Sequence, residues 1–188
     1  MTTSPLSKTT ISLHWIIALG IIGMLAFGIY IEDFVPGKLA DGSRNLFRGE
    51  LMMLHKSIGV VILTVALARI FWRMSEGWPK PVSVYHKLEK MLAKAAIWLL
   101  LLGTLIMPLS GIVMSQAAGK AVPVFGLFDL PIIFPESKAL GGVAHEVHGI
   151  GAWVLIAAIS FHIVGALKHH FIDKDATLKR MLGSKNIS

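Results

Sequence analysis

The chain has 188 residues, of which 54% are hydrophobic and only 15% charged, with no cysteine. A soluble domain carries about 25% charged residues, so this composition excludes both an ordinary soluble enzyme and a disordered segment. Without cysteine there is no disulfide, thiolate-ligated zinc or cysteine-bound iron–sulfur cluster, and the net charge of +7 reads first as membrane topology rather than as a nucleic-acid site.

Four stretches reach the roughly 20 apolar residues that cross a bilayer as a helix. They are Ile11–Ile31, His55–Arg73, Leu92–Ser115 and His145–Leu167. The first is too long, and too poor in small-residue cleavage signals, for a removable leader. The pattern predicts an all-α protein, an integral membrane four-helix bundle, with residues 1–188 forming a single domain. The linkers differ in character. Glu32–Leu54 is polar. Met74–Met91 is basic and holds Pro79 and Pro81. Gln116–Val143 is long yet apolar, and its VPVFGLFDLPIIF run over Val122–Phe134, broken by Pro123, Gly126 and Pro131, predicts an interfacial cap over the bundle.

Positive residues set the orientation. Lys8, Arg73, Lys80, Lys87, Lys90, Lys94, Lys168, Lys174, Lys179, Arg180 and Lys185 fall on one side, against Lys38, Arg44, Arg48, Lys120 and Lys138 on the other. This bias predicts a bacterial inner-membrane protein with both termini cytoplasmic. Trp15 and Trp72 fit an interfacial belt, while Trp153 lies more interior along span four.

Ionisable residues within spans are costly and commonly functional. His14 opens span one near the cytoplasm, and His55 opens span two on the outer side. On span four His148 lies near the outer end and His162 fourteen residues further in. Fourteen residues are about 21 Å of helix and close to four whole turns, so both imidazoles leave one face. Each has a depth-matched partner: His148 with His55, and His162 with His14. Paired imidazoles from facing helices suit a six-coordinate haem iron, and two such levels would carry electrons across the bilayer. Two other readings stay open: interhelical hydrogen bonding, and a haem-free metal transporter built on His145, His148 and His55. With no Cys-x-x-Cys-His, any haem is non-covalent and of type b.

Arg69, fourteen residues after His55 on the same face, is expected to pair with a haem propionate, and Arg73 to snorkel. Lys56, Arg44 and Arg48 either pair with the outer propionates, attract a small anion, or are solvated loop charges. Gly149 and Gly151, flanking His148, would let a flat macrocycle approach the backbone. His169 and His170 end span four as either an interfacial polar pair or a proton or quinone contact. His86 reads as structural.

In order and spacing, several runs are specific together: Ser12-Leu13-His14-Trp15, His55-Lys56-Ser57-Ile58-Gly59, Arg69-Ile70-Phe71-Trp72-Arg73, Val124-Phe125-Gly126-Leu127-Phe128, and Ala166-Leu167-Lys168-His169-His170-Phe171-Ile172-Asp173-Lys174-Asp175 followed by Thr177-Leu178-Lys179-Arg180-Met181. In these the chain resembles the bacterial cytochrome b561 family of dihaem membrane proteins. The resemblance implies two haems b with His14, His55, His148 and His162 as axial ligands. It also implies electron exchange with membrane ubiquinone, and one known activity of the family is superoxide:ubiquinone oxidoreduction. The expected partners are therefore a quinone, membrane lipids, and a periplasmic donor, either superoxide or a redox protein; no nucleic acid is expected. A passive cytochrome b anchor for a partner dehydrogenase is the alternative.

Overall fold

A computed structural model describes residues 5–79, 82 and 85–184. Lys80 and Lys185, counted above for orientation, lie outside the described residues. Four long helices dominate: α1 (Lys8–Ile29), α2 (Leu46–Glu76), α3 (Lys87–Ala117) and α4 (Lys138–Phe171). All four are long and apolar enough to cross a membrane. A short helix, α5 (Thr177–Met181), folds back beneath the bundle, and a two-stranded hairpin, β1 (Pro123–Val124) with β2 (Phe128–Asp129), caps the opposite end.

The helices outrun the apolar spans because polar caps begin them earlier. The Ser7 side chain accepts from Thr10 N at 3.2 Å, Asn45 from Arg48 N at 3.3 Å, and Ser137 from Leu140 N at 3.2 Å. At α3, Glu89 reaches back to accept from His86 N at 3.2 Å, so His86 is a helix-start residue. The expected linker Glu32–Leu54 is accordingly shorter than its sequence suggested, because α2 starts at Leu46. Gly77, at φ 83°, closes α2 in the left-handed region that glycine takes at low cost.

Helix α1 ends in a wide π-helical turn, Tyr30–Phe34. Arg48 of α2 donates to the carbonyls of Ile31 and Val35 and to Glu32 Oε2. These are carbonyls that a helix C-terminus leaves without partners. Arg48 is therefore committed to α1 and does not stand as a free outer cation.

The core sits midway along the bundle, where Ile17, Ile21, Ile62, Ala66 and Leu155 pack together. α3 and α4 approach closely. A Cβ at Gly103 would run into the Leu155 side chain, and one at Gly151 would lie 2.9 Å from Met107 Sδ. Gly151 thus serves helix packing, whereas a Cβ at Gly149 would meet nothing within 4 Å. Large apolar side chains stand exposed along all four long helices. Trp153 lies deep along α4 but 69% exposed on the outside of the bundle, facing where lipid would be. Trp15 and Trp72 behave differently: their indole N–H groups bond Met181 O at 2.8 Å and Thr10 Oγ1 at 3.1 Å, stitching α1, α2 and the tail together at the terminal end.

Candidate haem centres between the helices

Two pairs of imidazoles face each other inside the bundle. His14 of α1 and His162 of α4 have ring centroids 6.2 Å apart, with planes 55° from parallel. His55 of α2 and His148 of α4 have centroids 6.4 Å apart, at 70°. All four rings are half-buried. An imidazole nitrogen lies about 2 Å from its metal, and the ring centre about 1.2 Å behind it; two imidazoles on opposite sides of one iron would thus have centroids about 6.4 Å apart. Both pairs fit that spacing, and each pair draws its two rings from different helices.

The surroundings differ between the levels. At the end away from the termini, a Cβ at Gly28 would lie 3.3 Å from His55 Cε1, and one at Gly111 3.4 Å from His148 Cε1. Each glycine lets a neighbouring helix close against a ring edge that a larger residue would displace. His148 Nδ1 is 3.0 Å from Met107 O and 3.0 Å from Ser110 Oγ. His55 Nδ1 is buried without a hydrogen-bond partner. At the terminal end, Arg69 is the charged neighbour of both His14 and His162. No carboxylate among the described residues pairs with it. A half-buried guanidinium without a counter-ion can receive an anionic group such as a propionate.

Other predicted residues fall elsewhere. Lys56 Nζ donates to Ala121 O at 3.0 Å, so it anchors the segment leading into the hairpin while keeping two further N–H groups. Beside it, Ser57 is fully buried and accepts from Phe125 N at 2.8 Å, holding the hairpin tip, where Phe125 takes a left-handed φ of 52°. His145 is exposed at the rim. Among the described residues, the His145, His148 and His55 set does not gather three ligand atoms as a compact metal site requires.

The group that does gather is His169, Asp173 and Asp175, whose ligand atoms lie within 4.8 Å of one another. It is already occupied by its own contacts. Lys168 Nζ donates to both Asp173 oxygens, at 3.0 and 2.8 Å, and to Glu89 Oε1 at 2.6 Å. Tyr85 Oη donates to Asp175 Oδ2 at 2.9 Å and its ring packs on His169 at 4.7 Å. His169 Nδ1 is 2.8 Å from Asp173 Oδ2 and 3.3 Å from Asp175 Oδ2, without the alignment of a hydrogen bond. The Lys168 bond holds the Asp173 carboxyl below its usual value, helped by His169. Burial works against the Asp175 charge, but bonds from Thr177 and Tyr85 overcome it and lower that carboxyl too. Burial raises the Tyr85 phenol. This network clamps the end of α4 to the loop before α3. Sequence reasoning missed Tyr85, Asp173, Asp175, Met107 and Ser110; the His-x3-Asp-x-Asp spacing was the available signal for the two aspartates.

Four apolar spans with facing imidazole pairs at an iron-spanning distance define a membrane-embedded helical bundle suited to hold haem. The chain belongs to the prokaryotic cytochrome b561 family, whose model matches residues 6–184. It is 35% identical to cytochrome b561 homolog 2 of Escherichia coli (strain K12), over 92% of this chain and 88% of that protein. It is 26% identical to a probable superoxide oxidase CybB of Yersinia pestis, over 93% and 94% of the two chains. It is 21% identical to a probable Ni/Fe-hydrogenase B-type cytochrome subunit of Azotobacter chroococcum mcd 1, over 90% and 82%. The protein is thus a multi-pass membrane b-type cytochrome, with haem b as cofactor and electron transfer as its business.

Proposed function

We propose that the chain, as one unit, binds two haems b and passes single electrons between a periplasmic donor and membrane ubiquinone. His55 and His148 would hold one haem, His14 and His162 the other. The observation that carries this reading is the pair of centroid separations, 6.2 and 6.4 Å, each matching imidazoles on either side of one iron. Haem iron, when bound, accepts and gives up one electron at a time. The chain's own residues do the rest. The helices hold four imidazoles at two depths, the apolar layer of Ile17, Ile21, Ile62, Ala66 and Leu155 lies between those depths, and Arg69 offers a positive charge to a propionate. The basic-residue bias supports an inner-membrane orientation with both termini cytoplasmic.

The relative named a probable superoxide oxidase supports superoxide as the donor. The relative named a hydrogenase cytochrome subunit favours a second reading, an electron relay serving a partner protein. One experiment on the purified chain separates them. A dithionite-reduced minus oxidised spectrum, with haem counted by pyridine haemochrome, is expected to give a b-type signal and two haems per chain. Superoxide generated in the cuvette should then reduce the haem within mixing time, and added ubiquinone should reoxidise it. Haem without superoxide reactivity, together with a co-purifying dehydrogenase, selects the relay. Absence of haem refutes both.

A further inference from the structure

His148 is held in a way its partner His55 is not. Its Nδ1 lies 3.0 Å from Met107 O and 3.0 Å from Ser110 Oγ, while Ser110 Oγ lies 2.9 Å from Met107 O. The donor inventory fixes the directions. A carbonyl only accepts, so Nδ1 carries its hydrogen and donates to Met107 O. The Ser110 hydroxyl also donates to Met107 O, which leaves its oxygen lone pairs to accept from Nδ1–H. With Nδ1 protonated, Nε2 of the neutral ring keeps the free lone pair. Ser110 is buried, at 7% exposure.

Back-bonding of hydroxyls to their own helix is common in membranes, and Thr64, Thr104 and Ser160 do only that here. Ser110 alone among these four also reaches a histidine of a facing helix. Pro108 stands between Met107 and Ser110 and removes an N–H from the turn, loosening the local ladder where this contact forms. At His55 the corresponding nitrogen is buried and unpartnered, so the pair is chemically unequal.

We infer that Ser110 is a positioning residue that, with the Met107 carbonyl, fixes the tautomer and plane of His148 and so sets the potential of the haem held there. This rests on the haem site proposed for His55 and His148. An imidazole that donates its second N–H is a more basic ligand, and a more basic ligand favours ferric over ferrous iron. Removing the hydroxyl leaves the Met107 carbonyl as the sole acceptor of that N–H, loosens the ring's hold and weakens the donation, and should therefore raise that haem's potential.

The test compares full-length wild type, Ser110→Ala and Ser110→Thr by spectroelectrochemical titration and low-temperature EPR of the ferric protein. In Ser110→Ala one haem should lose about tenfold of its ferric preference, roughly 59 mV upward for one electron. Its EPR signal should shift while the other haem stays unmoved. Ser110→Thr should behave as wild type. Loss of that one haem from Ser110→Ala, with Ser110→Thr keeping both, supports the same role through affinity. Unmoved potentials in Ser110→Ala, equal shifts in both haems, or a Ser110→Thr variant as perturbed as Ser110→Ala overturn it. A wild type with fewer than two haems overturns the parent reading as well, so the two failures are distinguishable.

Discussion

The assignment of four ligands to two sites makes a prediction about non-additivity. His148 and His162 stand fourteen residues apart on α4, about 21 Å along its axis. That is well beyond the roughly 7–10 Å over which mutational effects couple. Within a level the rings are 6.2 or 6.4 Å apart, and in the proposed arrangement they would share one iron. His14→Ala and His162→Ala should each reduce the haem content from two per chain to one, and the double variant should also retain one. His55→Ala with His148→Ala should behave in the same way for the other haem. Any double variant that takes one histidine from each level should retain none. Pyridine haemochrome against protein concentration reads the count directly, and the reduced α-band shows which haem remains. A His14→Ala/His55→Ala protein that still binds one haem would refute the pairing. So would a His145→Ala protein that loses haem while His148→Ala keeps both.

Three further outcomes follow from other contacts. Arg69→Gln removes the positive neighbour of His14 and His162; since positive charge favours the reduced, less positive iron, the potential of that haem should fall in a redox titration, with Arg69→Lys shifting it less. Gly103→Ala places a Cβ against the Leu155 side chain, which is 1% exposed and must shift to admit it; overpacking of this kind costs about 1–3 kcal/mol, to be seen as a lower thermal midpoint in detergent. Asp173 has its carboxyl lowered in the folded protein by Lys168, so its contribution is present above the usual aspartate value of about 3.9 and is lost as pH falls through the lower folded value. Hydrogen exchange of Thr177–Met181 should therefore accelerate, relative to its intrinsic rate, between neutral pH and acid, and Asp173→Asn should flatten that dependence.

How far the sequence carried the reading depends on the kind of interaction. The spans were legible because bilayer-facing helices must be apolar on their outside as well, and exposed residues such as Trp153 and Phe161 extend that signal around the whole helix. The histidine levels were legible because a 14-residue interval is close to a whole number of turns on a single helix. Partners on other helices could be matched only by depth. Helix ends were misjudged because Asn45 and Ser137 lie outside the apolar runs, and capping strength depends on a few backbone donors rather than on hydropathy. Ser110 was invisible for a related reason. A serine in a span reads as a hydroxyl bonded to its own helix, and nothing in α3 reveals that α4 places His148 3.0 Å away. Gly149 and Gly151 look equivalent beside His148, yet only Gly151 meets the facing helix.

The end away from the termini narrows the choice of donor. Of the cations the sequence places there, Arg48 is spent on the carbonyls of Ile31 and Val35 and on Glu32, and Lys56 ties down Ala121. Lys120 and Asp129 both act on the Lys56 ammonium, so this cluster mixes signs. Arg44, Lys38 and Lys138 remain, all of them exposed. The hairpin tip is apolar, with Leu127 82% and Phe128 58% exposed. A small anion would therefore be drawn by a diffuse positive field around the rim, an attraction that salt screens over about 10 Å at 0.1 M. A protein donor would instead bury the apolar hairpin and be less sensitive to salt. The salt dependence of haem reduction thus separates the two donors by physics that does not depend on knowing the partner's name.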